Sequence, residues 1–332
     1  MRKRIYFIWV AMFFSCVGFG QPEILSNMVQ TQKSTIHRDY LRDGDTRIVV
    51  SSHYASKYVE SNYQYRQYLN FLTEIKNDSL LAAAQPNRGI WDLTNLKNKE
   101  KVFLKKNYWS DERFNDYPVL GLNFTQVNNY LKWKSEFLNI AYLIFLGKIN
   151  NTILDVKNNN KIEQQTKNNI DIPKESFYFP SLRLFTFHEL ATSHQNGGTS
   201  SHINDIDKIF SKWLSKNEQF QFLIYEPKPL ILKDSPIYRK INKLGILPVV
   251  YSNINNLRGI NNYGQFELVM DWINMEKSKS GERVNSSEQN WENRIVVSFK
   301  YKKGRINKAK KMAMTAYPFF VFRTCMTNIN KK

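Results

Sequence analysis

The chain has 332 residues, 42% of them hydrophobic and 14% aromatic, so it can bury a sizeable core and is not a disordered polymer. Its formal charge is +19, from 48 basic and 29 acidic residues, which excludes an acidic, solvating type of chain and points to anionic partners or a lysine-rich solvated surface. Two cysteines, Cys16 and Cys325, leave no room for a disulfide framework.

Arg2, Lys3 and Arg4 precede an apolar run from Ile5 to Val17, too short to span a bilayer comfortably as a helix. Gly18 and Gly20 supply the small residues of a cleavage site, so residues 1–20 are expected to be a signal peptide. Two alternatives stand beside cleavage after Gly20: a lipid anchor on Cys16, or an uncleaved anchor. All three imply export to the periplasm or outer membrane. Loss of the three leader cations lowers the charge from +19 to +16. No later stretch has the length and apolarity of a transmembrane helix.

Residues 21–45 are polar and mixed in charge, and suggest a linker or N-terminal arm. Thr46 to Ser52 is β-branched and predicts a strand. Ser61 or Asn62 caps a helix to Lys76, with Tyr65, Leu69, Leu72 and Ile75 on its apolar stripe. Residues 77–114 lack sustained periodicity and suggest a partly ordered, functional excursion. Pro118 favours an extended Tyr117, and Val119 to Leu122 fits a short buried strand. Asn123 or Thr125 then caps a helix with Val127, Tyr130, Leu131, Phe137 and Leu138 inward, and Lys132 and Lys134 pointing elsewhere.

Residues 150–172 form a polar, asparagine-rich insertion. Pro180 and Ser181 fit a strand-to-helix turn, and residues 193–207 a loop. Phe220 to Tyr225, Ile246 to Tyr251, Arg294 to Tyr301 and Phe319 to Arg323 predict strands. The basic run Lys300, Lys302, Lys303, Arg305, Lys308, Lys310 and Lys311 falls in a loop or hairpin between the last strands. It has two readings: a patch that docks an anionic surface, or a solvated element that guards edge strands. The pattern as a whole is α+β, with few helices, short strands and much loop.

Taken in order, five segments resemble the formylglycine-generating enzyme (sulfatase-modifying factor) domain family. Asn62-Tyr-Gln-Tyr-Arg-Gln-Tyr-Leu is similar to its early helix. Tyr117-Pro-Val-Leu-Gly-Leu-Asn-Phe with Lys132-Trp133 is similar to its Pro-Val-x-x-Val-x-Trp segment and the helix after it. Phe179-Pro-Ser with Phe185 and Phe187 matches its Leu-Pro-Thr segment. Asn262-Tyr-Gly-Gln-Phe-Glu-Leu with Asp271-Trp272 matches Asn-x-Tyr-Gly and the Trp that follows. Arg294-Ile-Val-Val-Ser-Phe and Phe322-Arg323 match the closing segments. Within the family, Asn107 to Gly121 is most similar to gliding-motility lipoproteins of Bacteroidetes, which belong to the gliding and type IX secretion apparatus.

The resemblance implies an irregular, C-type-lectin-like fold over residues 46–330, with short, mostly antiparallel strands. It also exposes what is missing. Active members hold copper on a closely spaced cysteine pair, because soft thiolates suit Cu(I). Here Cys325 stands alone, and Leu131 occupies the place of a cysteine before the family tryptophan. The family's acidic residues after Leu-Pro-Thr are replaced by Leu182, Leu184 and Thr186, its late glycines by Val296 and Val297, and a calcium-site segment is absent between Leu268 and Val269. What survives is framework: Pro118, Gly121, Trp133, Pro180, Gly264, Trp272 and Arg323. No catalytic residue, metal or cofactor is assigned.

Nor does other chemistry emerge. His37, His53, His188, His194 and His202 match no ligand spacing. Cys325 is expected to be inert packing, and Glu267 and Asp271 a surface carboxylate and a turn residue. The expectation is a non-catalytic structural or binding protein of the envelope, with an envelope protein as partner, an anionic surface or polysaccharide as a further one, and no nucleic acid. The alternative is an active oxidase or a related metal-dependent enzyme.

Overall fold

A computed structural model describes residues 25, 28–31, 34–36, 48–50, 52–148, 182–185, 189, 205–227, 236–244, 246, 248–249, 266–268, 294–302, 305–311, 320–323 and 325–327. The expected signal peptide with Cys16, the polar insertion, Pro180, Gly264, Asp271, Trp272, Lys303 and every histidine but His53 lie outside them.

Strands β1 (Met28–Thr31), β2 (Ser34–Ile36), β3 (Ile48–Val50) and β4 (His53–Ser56) come first. β1 and β2 fall within residues 21–45, where β1 pairs antiparallel with β4 and β2 with β3. Helix α1 (Asn62–Glu74) follows. Its start is fixed by a reciprocal cap: the Ser61 hydroxyl accepts from the Gln64 N–H at 3.3 Å, and the Gln64 side chain accepts from the Ser61 N–H at 3.2 Å. Tyr65 and Leu72 of the expected stripe are buried, joined by Tyr68, whereas Ile75 is 39% exposed because the helix has already ended.

Residues 77–114 are not a partly ordered excursion. They fold as α2 (Asp78–Ala84), a 3-10 turn at Arg88–Leu93, α3 (Asn98–Asn107) and a second 3-10 turn at Glu112–Phe114. Trp91, Tyr108 and Phe114 from this stretch are fully buried, each burial contributing about 2 kcal/mol or more. Two of its polar ring atoms are fastened to the next segment: the Tyr108 hydroxyl donates to the Pro118 carbonyl at 2.8 Å, and the Trp109 N–H to the Leu120 carbonyl at 2.9 Å.

Val119 to Leu122 is not a strand either. Gly121 has φ +77°, a left-handed conformation that breaks extended pairing, and Pro118 makes a single bridge with Ser61. A Cβ at Gly121 would lie 2.8 Å from the Asn87 carbonyl oxygen, so the turn also needs glycine for close approach. Helix α4 (Phe124–Phe145) then starts under an Asn123 cap, with Asn123 Oδ1 accepting from the Gln126 N–H at 2.9 Å. It ends at Gly147, φ +66°, where the N–H groups of Gly147 and Lys148 return to the Ile144 and Leu143 carbonyls.

β5 (Leu182–Arg183) precedes α5 (Asp205–Lys216), which takes residues 205–207 out of the expected loop. Phe220 to Tyr225 is a correction. Most of it lies in a 3-10 helix, Glu218–Ile224, not a strand, and presents Phe222 to Trp133 in a stacked pair with centroids 5.0 Å apart. α6 (Pro236–Lys243) follows, and Ile246 and Val249 lie in no strand. The C-terminal part is β6 (Phe266–Leu268), β7 (Arg294–Lys302), β8 (Arg305–Lys311), β9 (Phe320–Val321) and β10 (Cys325–Thr327). The described sheets have orders β1-β4-β10-β5, β2-β3 and β8-β7-β6-β9, and every pairing is antiparallel except β6 with β9. The chain is thus α+β, with short and mostly antiparallel strands. The described α-helices number six, more than the few expected.

Candidate functional site

Four of the seven framework residues are described, and three of them adjoin the neighbours of one carboxylate, Glu60: Pro118 bridges Ser61, Trp133 meets the Tyr130 ring, and Arg323 follows Phe322. Glu60 sits just before the Ser61 cap of α1. Its N–H donates to the Phe322 carbonyl at 2.9 Å, and its own carbonyl accepts from Val119 at 3.0 Å, so the backbone is held between the C-terminal segment and the Pro118 turn. Arg323, next to Phe322, is buried and donates to the Lys57 carbonyl at 2.8 Å. Pro118 bridges Ser61, and Gly121 closes the same turn against Asn87.

The Glu60 side chain points to α4. Lys134 Nζ donates to Oε1 at 2.7 Å and the Tyr130 hydroxyl to Oε2, also at 2.7 Å. The pair is buried, with side chains 4% and 2% exposed for Lys134 and Glu60. Lys134 is a further correction: it does not point away from the core, and its Nζ lies 5.7 Å from the Tyr130 ring centroid. Burial first, then the Glu60 charge and hydrogen bond, push the Tyr130 phenol well above its ordinary pKa, so it stays a donor. Tyr130 also meets Tyr65, Tyr68, Trp133 and Phe322 ring to ring. Both carboxylate oxygens are engaged and buried. Such a group fixes elements in place and has no free lone pair turned to solvent for proton transfer.

A second cluster surrounds Cys325. In the sheet Cys325 is in register with Ala55 on one side and Arg183 on the other, and its side chain is fully buried. Arg183 holds Glu189 through two hydrogen bonds of 2.8 and 2.6 Å. Burial, followed by the Glu189 charge, pushes the thiol up, outweighing Arg183, which acts the other way. A protonated, enclosed thiol is a poor nucleophile and a poor metal ligand.

A third cluster lies on α1 further out. The Tyr225 hydroxyl donates to the Asp116 carboxylate, and the Tyr225 ring packs on Tyr63 with centroids 4.5 Å apart. Arg66 donates to the Ser110 carbonyl at 2.8 Å and to Asn115 Oδ1. Burial, then the hydrogen bond to Asp116, raises the Tyr225 phenol.

Among the described residues no set of three or more His, Cys, Asp and Glu side chains could hold a metal ion. His53 is buried in β4, edge-on to Phe185. Leu131 is buried core. Glu267 lies in β6.

The basic run is carried by a hairpin. β7 and β8 pair with Arg294 opposite Lys311, Ile295 opposite Lys310, Val297 opposite Lys308 and, after an irregularity, Lys302 opposite Arg305. β8 is the outer strand of its described sheet, while β7 is paired on both sides.

Sequence reasoning missed Glu60 and Lys134. The signal for Lys134 was present: it lies four residues after Tyr130 and four before Leu138, on the buried stripe of α4. Glu60 had no such signal, since its partners lie far along the chain. Among the described residues no helix is long and apolar enough to cross a membrane. Neither the protein-family models nor the curated proteins compared with the chain contain a match.

Proposed function

We propose that the chain is a non-catalytic, envelope-associated structural or binding protein, built on a degenerate formylglycine-generating-enzyme-like fold. Its setting would be the gliding or type IX secretion machinery. The observation that carries this reading is the buried Glu60 beside the Pro118 turn, whose two oxygens are already bonded to Lys134 and Tyr130. Pro118 and Trp133, two of the residues that motivated the resemblance, adjoin this bonded carboxylate through Ser61 and Tyr130, which supports a structural role for them. The burial of Cys325 between two strands supports the same reading, because the copper chemistry of active relatives needs an accessible thiolate pair.

Metal analysis and turnover with a cysteine-containing peptide test it together. Protein isolated from its native envelope fraction is expected to carry substoichiometric copper and iron and to leave the peptide thiol unoxidised. Stoichiometric metal with conversion of the thiol would establish the oxidase alternative. Intact mass of the same preparation reads the N-terminus: a chain beginning at Gln21 is expected, and a lipid-modified Cys16 would replace the cleaved-leader reading.

A further inference from the structure

We propose that the outward side of α3, together with Leu93 of the 3-10 turn before it, rests on an anionic phospholipid surface. The inference rests on the envelope setting proposed above and names the surface that the protein meets there.

Leu93 and Val102 are 69% and 65% exposed, more than any other large hydrophobic side chain among the described residues. They stand on two elements that are tied together. Lys101 Nζ donates to the Asp92 carbonyl at 3.2 Å, and Lys105 Nζ pairs with Asp92 Oδ2 at 2.7 Å. Leu93 follows Asp92 in the chain, and Val102 follows Lys101 and stands one turn before Lys105, so the two aliphatic groups adjoin the same tie. On α3, Val102 lies opposite Glu100 and Leu104, which are buried, and marks the middle of the outward side. Lys99 and Lys106, one turn before it and one turn after, lie on its other flank. An exposed aliphatic residue thus sits between two rows of lysines.

The charge of this side is not consumed by its neighbours. From Arg88 to Lys106 there are six basic residues and two acidic ones. Both carboxylates are engaged, Asp92 with Lys105 and Glu100 with Lys240. Among the described residues no carboxylate pairs with the exposed Lys99 or Lys106.

The mixture selects the partner. A bilayer surface accepts both features at once: aliphatic groups enter the acyl boundary while ammonium groups stay among the phosphates. A protein interface is enriched in aromatic residues and arginine and depleted of lysine, the reverse of what is found here. Single-stranded nucleic acid would need open rings for its bases, and Phe103, the ring of α3, is half-buried with the Arg113 guanidinium carbon 6.0 Å from its centroid. A polyanion read by charge alone leaves Leu93 and Val102 unused.

The test mixes the full-length chain with phosphatidylcholine vesicles, with and without phosphatidylglycerol, and reads the binding that phosphatidylglycerol adds. That difference subtracts any insertion by the apolar run at the N-terminus. Leu93→Gln with Val102→Gln is expected to weaken the added binding about tenfold. Lys99→Gln with Lys106→Gln is expected to weaken it about tenfold as well, with a loss that shrinks as salt is raised. The same charge removed from α4 and α5, Lys132→Gln with Lys212→Gln, takes exposed lysines and is expected to cost less than about twofold. Equal losses in the two lysine pairs would overturn the proposal, since net charge alone would then account for binding. Unchanged binding in the apolar pair would overturn it too, leaving a soluble polyanion as the partner. So would loss of self-association in that pair with vesicle binding unmoved, which would assign the side to a second copy of the chain. Should circular dichroism show that a variant does not fold, acetylation footprinting of the unaltered chain reads the same contact. Phosphatidylglycerol vesicles are expected to protect Lys99 and Lys106 and to leave Lys132 and Lys212 reactive; no protection at the first two overturns the proposal. Failure here removes the lipid surface alone; the reading of a non-catalytic protein falls on metal and turnover instead.

Discussion

The Glu60 node and the β7–β8 hairpin handle charge in opposite ways. At the node a carboxylate meets an ammonium and a phenol inside the core, and every polar atom of the carboxylate has its partner. On the hairpin, cation is set against cation across a ladder. The first arrangement removes charge from water and uses it to tie the segment before α1 to α4. The second keeps charge of one sign, uncompensated by its nearest neighbour across the strand. The contrast separates charge that determines the fold from charge that the fold merely carries, and it predicts very different responses to substitution.

The largest effect is expected at the node. Lys134→Ala leaves the Glu60 carboxylate buried without its cation and should cost about 3–5 kcal/mol. Urea unfolding followed by tryptophan fluorescence reads it. Glu60→Gln combined with Lys134→Met should recover most of that loss, because neither charge is then stranded. A cost under about 1 kcal/mol for Lys134→Ala would break the comparison, since the pair would then behave like a surface contact. Gly121→Ala comes next. A side chain there must adopt φ +77° and meets the Asn87 carbonyl, so a loss of about 1–3 kcal/mol is expected in the same assay. Asn123→Ala removes the cap of α4 and should cost about 1 kcal/mol. The smallest effect carries the opposite sign. Lys311→Glu turns the Arg294 pair into an attractive one and should stabilise by about 0.2–1 kcal/mol. Destabilisation by that variant would mean the hairpin's charge is part of the fold after all.

The node and the hairpin also differed in how far they could be read from sequence. The hairpin was visible as a dense basic run beside a β-branched strand, and Arg294–Lys302 follows that pattern closely. The caps of α1 and α4 were equally legible, since Ser61 and Asn123 precede clear apolar periodicity. The node was not. Spacing puts Lys134 on the buried stripe, but its charge argued for solvent, and its counter-charge lies on a segment with no periodicity of its own. The stretch 77–114 hid for another reason: its helices run ten residues or fewer, too short for a stripe to declare itself. Phe220 to Tyr225 alternates like a strand in part, yet its rings pack on three different partners, Phe220 on Trp213, Phe222 on Trp133 and Tyr225 on Tyr63, and the backbone coils to deliver them. The choice there was made by packing partners on α1, α4 and α5, which local pattern cannot report.

Strand β10 has a consequence for how the chain comes together. It lies between β4 and β5, an interior position, although it belongs to the last residues described. Ribosomal synthesis delivers those residues late, so the sheet containing β1 and β4 waits for its middle member. Until Cys325 to Thr327 arrive, β4 has an open flank and Glu60 lacks the Phe322 carbonyl. A chain shortened before Cys325 does not lose an ornament at the rim. It splits that sheet in two, leaving β1 with β4 on one side and a two-residue β5 with nothing to pair against among the described strands.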